Sequence, residues 1–175
     1  AMPSANVSSR LSPVDAYDVF DEFKKKIKII INGGKSNIGI ESTVIDLTGS
    51  PKILRPGIIS EKDIKKLVKT SLIKKISKIK SPGMLKKHYS PGIPVVLNKK
   101  PVSSKYAYIT FGKKQKIKKN YFNLSKKGSL KEAASNLYKT MRKIKQIGYK
   151  KIFISKIPNV GPGVAINDRL NRSSK

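Results

Sequence analysis

The sequence predicts an α/β protein, and three observations carry that expectation. Short β-branched runs alternate with helical stretches over residues 1–80. A Pro/Gly-rich segment at 81–104 interrupts the chain. Residues 105–175 then read as strand, helix, strand, helix, which is the pattern of a small parallel unit with right-handed crossovers. At 175 residues and 38% hydrophobic content the chain can bury a core, as one domain or two small ones.

Taken in order, Ser12-Pro13 opens a helix through Phe23: serine is a good N-cap, proline suits the first turn, and Asp15 complements the dipole. Ala16, Val19, Phe20 and Phe23 give it an apolar face at helical spacing. Lys28–Asn32 reads as a short buried strand ended by Gly33-Gly34. Thr43–Leu47 and Lys52–Leu54 are strands separated by a Gly49-Ser50-Pro51 turn. Ser60, Glu61 and Asp63 start a helix that turns Ile64, Leu67 and Val68 inward, and Ile73–Ile79 alternates like an edge strand with outer lysines. Ser81-Pro82-Gly83, Ser90-Pro91-Gly92, Pro94 and Pro101 exclude a long helix, so 81–104 is the expected linker. Tyr106–Phe111 and Tyr121–Leu124 follow as strands. Ser129–Ile147 is an amphipathic helix with Leu130, Ala133, Ala134, Leu137, Tyr138, Met141 and Ile144 on one stripe. Lys151–Ser155 is a strand and Val164–Arg172 a helix.

Composition removes several function classes. Cysteine is absent and His88 is the single histidine, which excludes disulfide frameworks, thiolate metal sites, a thiol nucleophile and multi-histidine metal centres. No apolar run approaches the ~18 residues of a membrane span, and no basic-then-apolar leader opens the chain, so no membrane partner and a cytoplasmic location are expected. The charge is extreme: 39 Lys+Arg against 10 Asp+Glu, a formal +29. Only Arg10, Arg55, Arg142, Arg169 and Arg172 are arginines. Nucleic-acid readers favour arginine for its bidentate fork, so the lysine excess reads first as drift on solvated faces. An unspecific attraction to RNA is the alternative.

Gly34-Lys35-Ser36 looks like the end of a phosphate-binding loop, but Ile29 stands where that pattern needs glycine and no helix is expected to follow, so a Walker-type ATPase is rejected. Four features point instead to one nucleotide site. Pro3-Ser4-Ala5-Asn6 is a polar turn, Ser12 caps a helix whose N-terminus suits phosphate, Glu41-Ser42-Thr43 brings small hydroxyls to a strand mouth, and Arg55 stands before Pro56-Gly57. Arg55 is the arginine retained between Arg10 and Arg142; a need for its planar fork and a surface ion pair are both consistent with that.

Pro3-Ser4-Ala5-Asn6, Ser12-Pro13, Gly33-Gly34 to Gly39, Glu41-Ser42-Thr43-Val44, Leu54-Arg55-Pro56-Gly57 and Ser81-Pro82-Gly83-Met84 to His88-Tyr89-Ser90-Pro91 occur in that order. In this the sequence strongly resembles the YrdC/Sua-type L-threonylcarbamoyladenylate synthases, in the long form with a second domain, and Ala165–Leu170 resembles that domain's closing helix. The resemblance covers nearly the whole chain. It implies the C-terminal part of a YrdC-like twisted sheet at 1–80, a linker at 81–104 folding over the site, and a Rossmann-like Sua-type α/β domain at 105–175.

It also implies a nucleotidyltransferase chemistry. Threonine and bicarbonate form a carbamate that attacks the α-phosphate of ATP, giving threonylcarbamoyl-AMP and pyrophosphate for tRNA threonylcarbamoyladenosine modification. By position, Ser4, Ser12, Arg55 and Tyr89 match ATP contacts, while the Met2 backbone and the Ser42 hydroxyl match threonine contacts. No catalytic side chain and no protein-bound metal is implied; ATP is the substrate, and Mg2+ is the ion that would accompany it. Implied partners are L-threonine, bicarbonate, ATP and the downstream tRNA threonylcarbamoyl-transfer machinery, with weak RNA binding and double-stranded RNA as further ones. His88 is expected to be a loop contact, since nothing near it in sequence would orient a base.

Three departures accompany the resemblance. The family's Lys-x-Arg and Ser-x-x-Lys elements are missing, Ser9 stands where glycine is usual, and Asn32 replaces an aspartate. The expectation is therefore the C-terminal portion of a longer enzyme, inactive alone, its first 80 residues unstable without the missing strands. Two rival readings remain. One is a non-catalytic basic RNA-binding module, with Tyr106, Tyr108, Phe111, Tyr121 and Phe122 around Lys113–Lys119, although packing of two strands accounts for these rings more simply. The other is a YrdC-type carbamoyltransferase relative, which the stretch beyond Pro91 disfavours.

Overall fold

A computed structural model describes residues 5–69, 71–72, 83, 85, 87–113 and 118–175. The described residues form two sheets. In the first, β1 (Val44–Asp46) pairs antiparallel with β2 (Lys52–Arg55), which pairs parallel with β3 (Ser71–Leu72). In the second, β4 (Val95–Leu97), β5 (Ala107–Thr110), β6 (Tyr121–Asn123) and β7 (Ile152–Ile154) run parallel in the order β4-β7-β5-β6. Parallel neighbours require a crossover, and the long helix Leu130–Ile147 provides the one that returns the chain from edge strand β6 to β7 inside the sheet. The α/β expectation holds.

The first helix, α1, spans Ala16–Phe23, and α2 is the single turn Glu61–Ile64. The crossover helix is α3, and α4 covers Pro162–Ser173. The helix α3 forms where its pattern places it. Ser129 accepts from the Glu132 amide at the start, and Gly148 ends the helix in the left-handed region at φ 100°, a conformation glycine adopts without a Cβ penalty. Its predicted stripe is buried from Ala133 to Ile144 and meets Ala107, Ile109, Ile152 and Ile154 of the sheet and Ala165, Ile166 and Leu170 of α4. Leu11, Val14 and Ile40 join the same core, so it reaches from the first 40 residues into the second sheet. No helix among the described residues is long and apolar enough to cross a membrane.

Several expectations need correction. Lys28–Asn32 forms no strand: nothing pairs with its backbone among the described residues, and Ile31 is 91% exposed. The cap of α1 is Asp15, which accepts from the Asp18 amide, and Ser12 lies three residues upstream. That helix buries Asp18, hydrogen-bonded to the Val14 amide, while Phe20 is exposed, so its inward face is not the aromatic one. Ser60 and Asp63 make a reciprocal capping box, but α2 stops after one turn; Ile64 alone turns inward, and Leu67 is 87% exposed. Val95–Leu97, inside the Pro/Gly-rich segment, is a strand of the second sheet. Ile73–Ile79 lies outside the described residues.

Two of the family departures acquire a physical setting. Ser9 adopts φ 67°, the left-handed region that favours glycine, and its carbonyl accepts from the Ser90 amide at 2.9 Å. The Asn32 side-chain oxygen accepts from the Gly34 amide at 3.0 Å, a turn that an aspartate would make equally well.

Candidate functional site

Arg55 closes β2, and its pairing opposite Val44 sets it beside the residues that lead into β1. The guanidinium donates from Nε to the Ser42 carbonyl at 3.0 Å and from Nη2 to the Ser42 hydroxyl at 3.3 Å. It is 9% exposed, which sets it apart from a surface ion pair. Gly57 lies so close to the chain at 42–43 that a Cβ there would overlap the Thr43 amide nitrogen, which is why a glycine follows Arg55-Pro56.

The adjoining residue, Glu41, is the hub of the site. Its carboxylate accepts from the Ser12 hydroxyl at 2.6 Å, from the Tyr138 hydroxyl at 3.1 Å and from Arg169 Nε at 2.8 Å. Arg169 and Arg172 both bond Asp168, and Arg172 also donates to the Leu85 carbonyl at 2.8 Å. A chain of contacts thus ties α3 and α4 to the start of β1 and to the Pro/Gly-rich segment. The guanidinium carbon of Arg169 sits 5.1 Å from the centre of the Tyr89 ring, which also stacks at 6.0 Å on Tyr138.

Tyr89 fills the space that remains. It is 1% exposed, in the left-handed region at φ 59°, and its hydroxyl is buried with no hydrogen-bond partner among the described residues. Gly83 passes over it: a Cβ on Gly83 would overlap that hydroxyl and approach Arg55 Cδ to 3.2 Å. Burial raises the Tyr89 pKa, so the phenol keeps its proton and is a donor in search of an acceptor. His88 is oriented after all, because its Nδ1 accepts from the Tyr89 amide at 2.9 Å. Burial lowers its pKa; Glu41 opposes the shift and Arg172, Arg169 and Arg55 add to it, which favours the neutral ring.

Of the residues singled out from sequence, the structure gathers Ser42, Arg55 and Tyr89 into one cluster and joins Ser12 to it through Glu41; Met2 and Ser4 lie outside the described residues. Sequence reasoning passed over Glu41, Tyr138, Asp168 and Arg169 as site residues. For Arg169 a signal existed, the same one that picked Arg55: an arginine retained among lysines. In chemical terms the cluster is a set of donors, namely a guanidinium, hydroxyls and a phenol. The Ser12 hydroxyl does rest on a carboxylate, that of Glu41, but Arg169 holds the same carboxylate. Burial of Glu41 would raise its pKa, but Arg169 and the hydrogen bonds from Ser12 and Arg169 outweigh that and lower it below the ordinary 4.5. An ionised carboxylate so fully engaged is a structural anion rather than a proton acceptor.

This has a measurable consequence. Since the folded state holds Glu41 more acidic than the unfolded chain does, its contribution to stability is complete above pH 4.5 and is lost as pH falls through the lower folded value. Asp18, whose pKa burial raises, acts in the opposite sense, so the relevant quantity is a difference between variants. The expected outcome is that Glu41→Gln is less stable than the parent at pH 7 and that the gap narrows steadily below pH 4.5 in urea titrations. A gap independent of pH over that range would refute the assignment.

Among the described residues no group of three or more His, Cys, Asp or Glu could hold a metal ion.

Comparison with known proteins gives a consistent picture. Residues 59–174 match the family model described as threonylcarbamoyl-AMP synthase, C-terminal domain, and residues 1–57 match the one described as telomere recombination. The chain is 34% identical to the threonylcarbamoyl-AMP synthase of Pyrococcus abyssi over 99% of its own length and 57% of the relative's. It is 27% identical to that of Bacillus subtilis, over 99% and 56% respectively. The crystal structure of P. abyssi Sua5 complexed with L-threonine superposes with a TM-score of 0.83 at 31% identity, covering 98% of this chain and 56% of that one. A variant of the same protein with a histidine and a tyrosine replaced by alanine gives a TM-score of 0.81. The chain thus spans little more than half the length of the relatives it matches.

Proposed function

The chain belongs to the threonylcarbamoyl-AMP synthase family, and from that premise we propose that it contributes the Arg55–Ser42–Tyr89 wall of a nucleotidyltransferase site. The reaction joins L-threonine and bicarbonate into a carbamate with loss of water. A carbamate oxygen then forms a bond to the α-phosphorus of ATP, the bond to the β-phosphate oxygen breaks, and pyrophosphate leaves with its electrons. The one observation that carries this reading is the Arg55 fork on Ser42: a nearly buried guanidinium fixed beside a small hydroxyl, where an anionic substrate can be held against both.

The chemistry asks for positioning and for stabilisation of charge on phosphate oxygens, which fixed donors provide without a protein nucleophile. In this reading Arg55 and Ser12 face ATP, Ser42 faces threonine, and the unpaired Tyr89 hydroxyl finds its acceptor on the nucleotide while its ring keeps water out. Ser4 and the Met2 backbone complete the set by position. Mg2+ arrives chelated to the triphosphate as part of the substrate. The product passes to the tRNA threonylcarbamoyl-transfer machinery, in the cytoplasm. The match of residues 59–174 to the synthase C-terminal domain supports this over a carbamoyltransferase relative.

Residues 1–57 supply one part of the catalytic domain, and the elements that grip triphosphate are expected in the part of the relatives this chain does not span. The test is pyrophosphate release from ATP, threonine and bicarbonate. The 175-residue chain alone is expected to release none above background. Supplying the remaining part of the catalytic domain, fused or separate, is expected to restore release that depends on both threonine and bicarbonate. Turnover by the chain alone, or restored release that ignores threonine, would overturn the proposal.

A further inference from the structure

The positive charge is not spread evenly. Residues 1–63 carry nine Lys+Arg against eight Asp+Glu, while residues 64–175 carry 30 against two. Drift toward lysine across one coding sequence would mark both stretches alike. The two acids of the second stretch are engaged on helices: Glu132 of α3 accepts from Ser125, and Asp168 of α4 pairs with Arg169 and Arg172. The second sheet and its loops therefore carry no carboxylate at all.

One face of that sheet is the core built with α3 and α4. On the other face the register sets Val96, Phe153, Tyr108 and Tyr121 side by side, one from each strand. Neighbouring strands lie about 4.8 Å apart, so three of these four form a continuous row of rings. Tyr108 meets Tyr121 edge-on at 5.0 Å, and Tyr106 meets Phe153 at 5.7 Å. Tyr108 is buried at 4% exposure, whereas Tyr106, Tyr121 and Phe153 are half-buried, and Phe111 and Phe122 pack against the core cluster. Packing thus accounts for three of the five aromatics noted from sequence, Tyr108, Phe111 and Phe122, and leaves Tyr106 and Tyr121. Two lysines sit over the outer rings: Lys118 Nζ is 5.7 Å from the Tyr121 centroid, and Lys151 Nζ is 5.5 Å from that of Tyr106.

We propose that this face binds single-stranded RNA, with bases stacking on Tyr121, Tyr106 and Phe153 and the phosphates running past Lys118 and Lys151. Half-buried rings at the sheet surface offer bases a stacking partner, and an acid-free lysine surround attracts the backbone from a distance. A duplex hides its base faces and fits the charge but not the rings. The surface is separate from the nucleotide site, so binding is independent of ATP and threonine and stands or falls apart from the synthase reading.

The experiment titrates fluorescently labelled 15-nucleotide poly-U and poly-A RNA with the 175-residue chain at rising salt, alongside a duplex of equal length. Single strands are expected to bind at least several-fold more tightly than the duplex, with affinity falling steeply with salt. Tyr121→Ala and Phe153→Ala are each expected to weaken single-strand binding about 5-fold or more, the size of a lost base stack. Because a lost ring can also disturb the sheet, a second pair of variants guards the test. Lys118→Glu with Lys151→Glu is expected to cost about 10-fold or more, whereas reversing Lys139 and Lys143 on α3 costs less than 3-fold. Equal affinity for duplex and single strand, equal losses from both lysine pairs, or no binding at low salt would each overturn the proposal.

Discussion

Replacing Arg169 with methionine is expected to destabilise the protein by about 3–5 kcal/mol, because it leaves the Glu41 carboxylate inside the molecule without its counter-charge. Glu41 is 15% exposed at its side chain and Arg169 not at all, so water cannot take over the pairing. Ser12 and Tyr138 still donate to Glu41, which makes the loss smaller than that of a bare buried charge. Against a typical total of about 5–15 kcal/mol, such a loss brings a domain close to unfolding at body temperature. Urea denaturation measures it, and a cycle sharpens it: Glu41→Gln with Arg169→Met together is expected to cost clearly less than the two single changes added, since the double variant buries no unpaired charge. Additive losses, or a single-variant loss below about 1 kcal/mol, would mean the pair does not join β1 to α4 as the geometry indicates.

Replacing Arg55 with alanine is expected to lower kcat/KM for pyrophosphate release by about 10²–10³-fold in an enzyme reconstituted with the rest of the catalytic domain, the scale of losing a preorganised donor to developing charge. Arg55→Lys should recover little of it. An ammonium presents one point of charge, whereas the guanidinium reaches the Ser42 carbonyl and hydroxyl from two different nitrogens. Thermal melting separates this from a folding defect, since the residue is nearly buried and its removal also frees Ser42. A lysine variant within about 3-fold of the parent would show that only the charge matters and that the fork does not.

The two arginines show how far a sequence reading reaches. Both were visible as exceptions in a lysine-dominated chain, yet only Arg55 lies in a motif whose neighbours, Pro56-Gly57 and a preceding strand, suggest a site. Arg169 lies in Ala165–Leu170, which resembles the family's closing helix but carries no local sign of a site. Its partner Glu41 is 128 residues away, and no local pattern connects them. Ser12 shows the same limit: its hydroxyl was read as a helix cap, but Asp15 takes that position and Ser12 turns to Glu41 instead.

What the sequence determined by itself were features whose physics is local. The stripe of α3, the glycine that ends it, strands β2, β5 and β7, and the ordered motifs that identify the family are all contained within a few turns or a few residues, where periodicity, turn chemistry and side-chain type act directly. Tertiary structure decided the rest. Lys28–Asn32 has strand composition but no partner among the described residues to satisfy its backbone. Val95–Leu97 lies among prolines yet becomes a strand because β7 offers it a ladder. Likewise, α1 buries Asp18, which accepts from the Val14 amide and lies 3.5 Å from Arg142 of α3. In each case hydrogen bonds or charges from distant parts of the chain outweigh local preference, and those partners are known only once the chain has folded.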